Sequence, residues 1–426
     1  MQNQRTFPGL TNVLITSVVA LLAFGLAFVS GYVFGRAEPG GNSGPLAFLD
    51  VLQPATVRAT EEGVLSTDEQ ARFKVFWETW QVVERDFYDK SQVDHQKLIY
   101  GAIKGMVDAV GDPYTVYQTP SQREVSDTDL RGSFDGIGIQ VDMKDNRMTV
   151  VAPIEGSPAE AAGFRPGDVV VEVDGKSLAG KTLNDTVGLI RGQRGTPVTL
   201  TILRPGEAEP LQITVTRAEI KLKSVRARML DEQVGYVRIS SFSATTGTEI
   251  EAAVKDLISQ ESRGIIVDVR NNPGGYLSTS VEAAAQFMDP GSIVLYQQSG
   301  NGDRRTYRTE GGGTAAQVPV VVLINKGSAS ASEILAGALR DNRQAVLVGE
   351  KTFGKGTVQN VHELSDKSGL RVTTAQWLTP AENPIQGVGL LPDQTVELPA
   401  TATISSEATR ADDAQLDAAV RYILGS

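Results

Sequence analysis

The chain has 426 residues, 41% of them apolar, enough for about three units of ~150 residues with sizeable cores. A formal charge of -11 argues against nucleic acid as a partner, because a phosphate-neutralising face must be basic. There is no cysteine, so thiol nucleophiles, thiolate metal sites and disulfides are excluded together, and the two histidines, His95 and His362, leave little scope for imidazole chemistry.

In chain order, residues 1–12 read as a short cytoplasmic tail. Val13 to Phe34 is an uncharged, mostly apolar run. As a helix it would extend roughly 33 Å, the thickness of a bilayer, and it outlasts a signal-peptide core. An uncleaved signal anchor is expected there. Arg5 and the lack of acidic residues before the span place the N-terminus inside, exporting the rest. A cleaved signal is the rival reading, and a buried helix of a soluble protein is the plainer alternative. Residues 35–64, opening on "RAEPGGNSGP", read as a flexible linker.

Residues 65–130 form a helical region. Phe73, Phe76, Trp77, Trp80, Val83 and Phe87 recur at three- and four-residue steps, which predicts an amphipathic helix from Ser66 to about Val110 with the aromatic stripe as packing surface. "GDPYTVY" (Gly111 to Tyr117) breaks it. Residues 131–219 then alternate short strands with two short helices, including an Asp174-Gly175 hairpin turn, and make a small α+β module.

Between 220 and 400 the grammar changes. "VGYVRISSF", "GIIVDVR", "VPVVVLIN" and "AVLVGE" read as strands, separated by helices over Thr246–Ser259, Ser278–Met288 and Ser330–Arg340. Strands this apolar, alternating with helices, predict an α/β core with a largely parallel sheet and functional loops where strand passes to helix. Residues 401–426 are a tail and a terminal helix.

"INKGSASASEILAGALRDNRQAVLVGEKTFGKGTVQ" (Ile324 to Gln359) carries three alternate serines. Ser330 follows a buried strand and heads a helix, where free amides could hold an oxyanion. It is equally the first residue of a capping box with Glu333, and spacing alone does not separate it from Ser328 or Ser332. A serine nucleophile needs a base. With histidine scarce, Lys355 in the apolar "TFGKGTV" is the best candidate, provided burial keeps its amine neutral. Gln359 could orient that amine, although four residues of ideal strand span ~13 Å, so contact would need a bulge or turn. Gly349-x-x-x-x-Gly354-Lys355 also imitates a phosphate-binding loop. Gly356 replaces the hydroxyl that would hold magnesium, and a strand pattern follows where a helix is required, so nucleotide binding is set aside.

This segment resembles the active-site region of the C-terminal processing peptidases, or tail-specific proteases. The resemblance extends to "GIIVDVRNNPGG", to the GIGI-bearing module and to "TP…G.G..PD" at Thr379 to Asp393, covering roughly Ser66 to Leu398. It implies a crotonase-like α/β peptidase core with an inserted PDZ domain, acting as a serine–lysine endopeptidase without metal or organic cofactor. It further implies Ser330 as nucleophile, Lys355 as general base, Gln359 orienting the lysine, and Ala331 with Gly274 or Gly275 as the oxyanion hole. Asp341 matches a supporting acidic position, and capping of its helix end is as plausible. Arg191 falls where a family arginine couples the two domains, and a solvated surface charge fits it nearly as well. Gly136, Ile137, Gly138 and Ile139 match a PDZ carboxylate loop that selects apolar C-terminal tails of protein substrates. "AENPIQG" departs from the many relatives that carry a basic residue there. A homodimer seam formed by the N-terminal aromatic helices and the C-terminal helix is expected by the same resemblance. The rival reading is a PDZ scaffold with a dead peptidase core.

Overall fold

A computed structural model describes residues 67–425 apart from 145–146, 182 and 400–403. The expected anchor at 13–34 and linker at 35–64 lie outside the described residues. Among those described, no helix is long and apolar enough to cross a membrane.

The centre is a six-stranded sheet in the order Val225–Met229, Val234–Ile239, Gly264–Asp268, Val320–Ile324, Val346–Gly349, Gln394–Thr395. The first pairing is antiparallel and the rest are parallel. Gly264–Asp268 and Val320–Ile324 are buried along their whole length because both faces are covered. Ile265, Val267, Val322 and Ile324 face the helices Thr246–Ser259, Leu277–Phe287 and Ala331–Arg343. Ile266, Val321 and Leu323 point the other way, onto Leu416, Ala419 and Val420 of the C-terminal helix Ala414–Leu424. The apolar face of that helix is thus covered by the sheet, which leaves the N-terminal helices as the only expected seam element with its apolar face open.

A second, antiparallel sheet was not expected. The long strand Gly369–Leu378 pairs with Thr357–Glu363, Ile293–Ser299 and Val116–Gln118. The first of these carries the residues just after Lys355, and the last follows directly on "GDPYT". The N-terminal region is thereby brought beside the lysine.

The expected helix from Ser66 to Val110 is two helices, Thr67–Asp86 and His95–Asp108, around a 3-10 turn at Lys90–Gln92. Two aspartates explain the break. Asp89 accepts the Ser91 amide, and Asp94 caps the second helix by accepting from Gln96 and Lys97. Phe73 (45% exposed) and Trp77 (56%) leave much of the aromatic stripe open.

The small module is a sheet in the order Ile139–Lys144, Arg147–Pro153, Val169–Val173, Pro197–Leu203, Leu211–Thr216 with its own core. The chain enters along Ser133–Gly136 and leaves along Ala218–Lys221, paired as a two-stranded ribbon. Asp174 and Gly175 both take positive φ, the hairpin turn expected of that dipeptide.

Candidate active site

Three loops meet at the C-terminal ends of the parallel strands. The loop after Val320–Ile324 ends at Ser330, which heads the helix Ala331–Arg343 with φ +55° and ψ −114°. For a residue other than glycine this conformation costs on the order of 1–3 kcal/mol and persists only where neighbours enforce it. Here the Ala329 amide donates to Asn272 O (3.0 Å), and the Ser330 amide donates to Glu333 Oε2 (2.9 Å).

The three serines now separate. Ser328 Oγ donates to Val269 O (2.8 Å) and accepts the Asn325 amide, and Ser332 Oγ donates to Asn272 O (2.9 Å). Both are fully buried rivets between neighbouring loops. Ser330 is half-buried, and its hydroxyl lies on a strained strand-to-helix turn, the placement a nucleophile needs.

The second loop, after Gly264–Asp268, carries Gly274 and Gly275. Gly274 (φ +102°) lies against Ser330: a Cβ there would meet Ser330 Cβ at 2.8 Å and Ala331 N at 3.0 Å. Its own amide donates to Asn272 Oδ1 (2.9 Å). Gly275 (φ +147°) bridges to Phe242, whose carbonyl a Cβ would meet at 2.1 Å. Among the described residues the amides of Ala331 and Gly275 meet no acceptor, so of the two glycines Gly275 is the one with a donor to spare.

The third loop, residues 350–356, carries Lys355 and is sewn to the first by Phe353 N donating to Ser328 O (3.0 Å). Glu333, fully buried, holds the two together. Its Oε1 accepts from Thr352 Oγ1 (2.5 Å) and the Gly354 amide (2.7 Å), and its Oε2 from the amides of Ser330 and Lys355 (2.9 Å each). Burial pushes this carboxyl above its ordinary range, and those four donors pull it back toward ionisation. Sequence reasoning saw in Glu333 only a helix cap. Its N3 position was the available signal, but three of the four donors come from a loop some twenty residues away.

The Lys355 side chain is half-buried. Burial pushes its amine below the ordinary lysine value; the nearby Arg371 guanidinium acts in the same direction and Asp112 against it. The ammonium lies 5.0 Å from the centre of the Tyr114 ring. No hydrogen bond among the described residues joins it to Ser330 Oγ. Gln359 lies beside a register shift in its strand, opposite Thr373, and its amide nitrogen donates to Thr357 Oγ1 (2.8 Å) and Thr373 Oγ1 (3.2 Å). Asp341 accepts the Ala381 amide (2.9 Å) and so fixes the turn leading to Gln386, whose side chain accepts the Gly356 amide (2.9 Å). It reaches the lysine loop only through that turn.

In the small module, Ile137 is buried in the core, while Gly138 (φ +81°) packs on Ser157 too closely for any side chain. The amides of Ile137 and Gly138 meet no acceptor among the described residues. Gly136 ends the ribbon strand, and Ile139 opens the edge strand Ile139–Lys144, whose only strand partner among the described residues is Arg147–Pro153. Ile139, Val141 and Met143 on that strand and Leu183 and Val187 on the helix Leu183–Ile190 are half-buried apolar residues around one core. Arg191 stacks on Phe134 of the ribbon, 4.7 Å from the ring centre.

A chain with a strained serine at a strand-to-helix turn, free amides beside it and an edge-strand module has the parts of a serine peptidase that handles chain termini. Sequence profiles match peptidase family S41 over residues 233–396, a PDZ domain over 149–204 and the activating protease CtpB N-terminal domain over 48–120. The carboxy-terminal processing protease CtpA of Bacillus subtilis (strain 168) is 38% identical, over 77% of this chain and 70% of its own length. The carboxy-terminal-processing protease of Bartonella bacilliformis is 38% identical over 82% and 81%. A Bacteroides fragilis structure assigned to the S41 proteases shares the fold at 16% identity, with 81% of this chain, 96% of that one and a TM-score of 0.50. The chain belongs to the carboxy-terminal processing proteases of peptidase family S41, and its activity is that of a serine-type peptidase.

Proposed function

We propose that this protein is an extracytoplasmic endopeptidase, anchored by residues 13–34, that cleaves proteins at or near their C-terminal tails with Ser330 as nucleophile and Lys355 as general base. One observation carries the reading: a single buried carboxylate, Glu333, binds the backbone amides of both Ser330 and Lys355. In the reaction, neutral Lys355 takes the Ser330 proton as Oγ attacks the scissile carbonyl. The amides of Ala331 and Gly275 hold the oxyanion, and the lysine returns the proton to the departing amine. Water then hydrolyses the acyl-enzyme by the reverse use of the same base. Gln359 reaches the amine once it leaves Thr357 or Thr373, and Asp341 steadies the loop from behind.

Residues 131–219 serve as the tail-recognising domain and residues 220–400 as the peptidase core. A flexible, apolar tail adds to the edge strand Ile139–Lys144, and its carboxylate meets the free amides of Ile137 and Gly138. The open aromatic stripe on Thr67–Asp86 supports a homodimer seam. The test is cleavage of an unstructured protein, read as fragments by mass spectrometry. Ser330→Ala and Lys355→Met should each abolish it while leaving the melting curve intact. Full activity of the lysine variant at neutral pH would refute the dyad, and tail binding without fragments from the wild type would favour a scaffold.

A further inference from the structure

Part of the lysine's surroundings comes from a stretch of chain far from the serine in sequence. "GDPYT" leads into the strand Val116–Gln118, which pairs with Gly369–Leu378, and this pairing carries Tyr114 to the Lys355 ammonium at 5.0 Å from its ring centre. The loop is built to hold that ring. Asp112 Oδ1 accepts the Tyr114 amide (3.2 Å), its Oδ2 accepts Thr115 Oγ1 (2.6 Å), and Thr115 Oγ1 in turn accepts the Thr373 amide (3.1 Å). Thr373 Oγ1 is also where the Gln359 amide rests. The charged and titratable groups around the amine are Asp112 and Tyr114 on this loop, Arg371 on the long strand, and Glu333, which binds the lysine's own amide.

We propose that Tyr114 is a positioning residue for Lys355, its ring forming the wall that keeps the amine dry and fixes where it rests. This rests on the reading of Lys355 as the general base. Two opposing effects act through the ring. Its face attracts the charged ammonium, worth about 0.5–2 kcal/mol at such contacts, while its bulk excludes water, and exclusion of water moves buried lysines by up to several pH units toward neutrality. Burial is the leading cause of the lowered Lys355 pKa, so opening the wall raises the amine's affinity for its proton. A neutral base then becomes scarcer at pH 7.

The experiment compares the full-length protein with Tyr114→Phe, Tyr114→Ala and Tyr114→Gln by kcat/KM for a quenched fluorescent tailed peptide from pH 6 to 10. Tyr114→Gln, which removes the ring and wets the wall while leaving a smaller cavity than alanine does, covers the case in which the alanine variant does not fold. The expected result is that Tyr114→Phe keeps the wild-type profile. The alanine and glutamine variants should shift the acid limb upward by about one pH unit, a loss of about tenfold at pH 7 that is recovered in alkali. An unmoved limb in both, or an equal shift in Tyr114→Phe, overturns the inference. Activity retained by Lys355→Met would be a different failure, that of the dyad itself.

Discussion

Glu333→Gln is the sharpest test of how the site is held. The carboxylate has four donors and no other role in the chemistry: Thr352 Oγ1 and Gly354 N on one oxygen, Ser330 N and Lys355 N on the other. Glutamine preserves shape but turns one oxygen into a donor. Its least costly orientation keeps the oxygen toward Ser330 and Lys355 and sets the NH2 group against the Gly354 amide and the Thr352 hydroxyl. That hydroxyl already accepts the Leu390 amide at 2.7 Å. One buried amide is left without an acceptor, at about 1–3 kcal/mol, and the remaining bonds lose their charge assistance, so a total near 3 kcal/mol is expected. At about 2–4 °C per kcal/mol for a domain of this size, the melting temperature should fall by roughly 6–12 °C. A shift of an ångström between nucleophile and base costs on the order of 100-fold in rate, so kcat should drop by about that factor with KM little changed. Differential scanning calorimetry and a fluorogenic peptide assay read the two effects. A variant that melts within about 1 °C of wild type and keeps its kcat would show that the carboxylate does not hold the two loops.

Ser328→Ala should do the reverse of Ser330→Ala: a stability loss of about 1–3 kcal/mol from the orphaned Asn325 amide, seen in urea unfolding, with cleavage retained, since the Val269 carbonyl still accepts the Asn272 amide. Gly275→Ala should lower kcat by about 100-fold or more, because a Cβ 2.1 Å from the Phe242 carbonyl must displace the loop that carries a free amide; unchanged turnover would remove that amide from the oxyanion hole. Cleavage should rise with pH along a limb placed below the ordinary lysine value of about 10.4, since burial lowers the Lys355 pKa and only the deprotonated amine is a base; a limb at or above that value would contradict the burial. Val141→Asp, on the half-buried face of the edge strand, should weaken binding of a tail peptide at least about tenfold by calorimetry while sparing cleavage of a tailless peptide.

The parallel sheet was legible because its strands are apolar along their whole length, as in "GIIVD" and "VVVLI", a pattern only a sheet covered on both faces requires. The helix Thr246–Ser259 was legible to the residue for a similar reason, its apolar positions Ile250, Val254 and Leu257 recurring at helical steps. The antiparallel sheet was not. Its strands, such as Thr357–Glu363, are mostly half-exposed, and their pairing joins residues as distant as Val116 and Arg371, for which a single sequence holds no signal. Spacing alone could not rank the three serines either; what their hydroxyls touch is decided only once the "NNPGG" loop has folded against them.

Gln359 shows why the base side of the site is harder to read than the nucleophile side. A strand of ideal geometry would carry its side chain ~13 Å from Lys355, and the register does slip, Val358 opposing Ala375 and Gln359 opposing Thr373. That slip sets Gln359 beside Thr373, and Thr373 is tied through Thr115 to the loop that presents Tyr114. Gln359 and the loop carrying Tyr114 thus hang on one threonine of the long strand. Ser330 is fixed differently, by contacts from loops at the ends of adjacent parallel strands, and a local motif suffices to announce it. A lysine amine placed by a distant loop can shift while Ser330, held by the ends of the parallel strands, stays where it is.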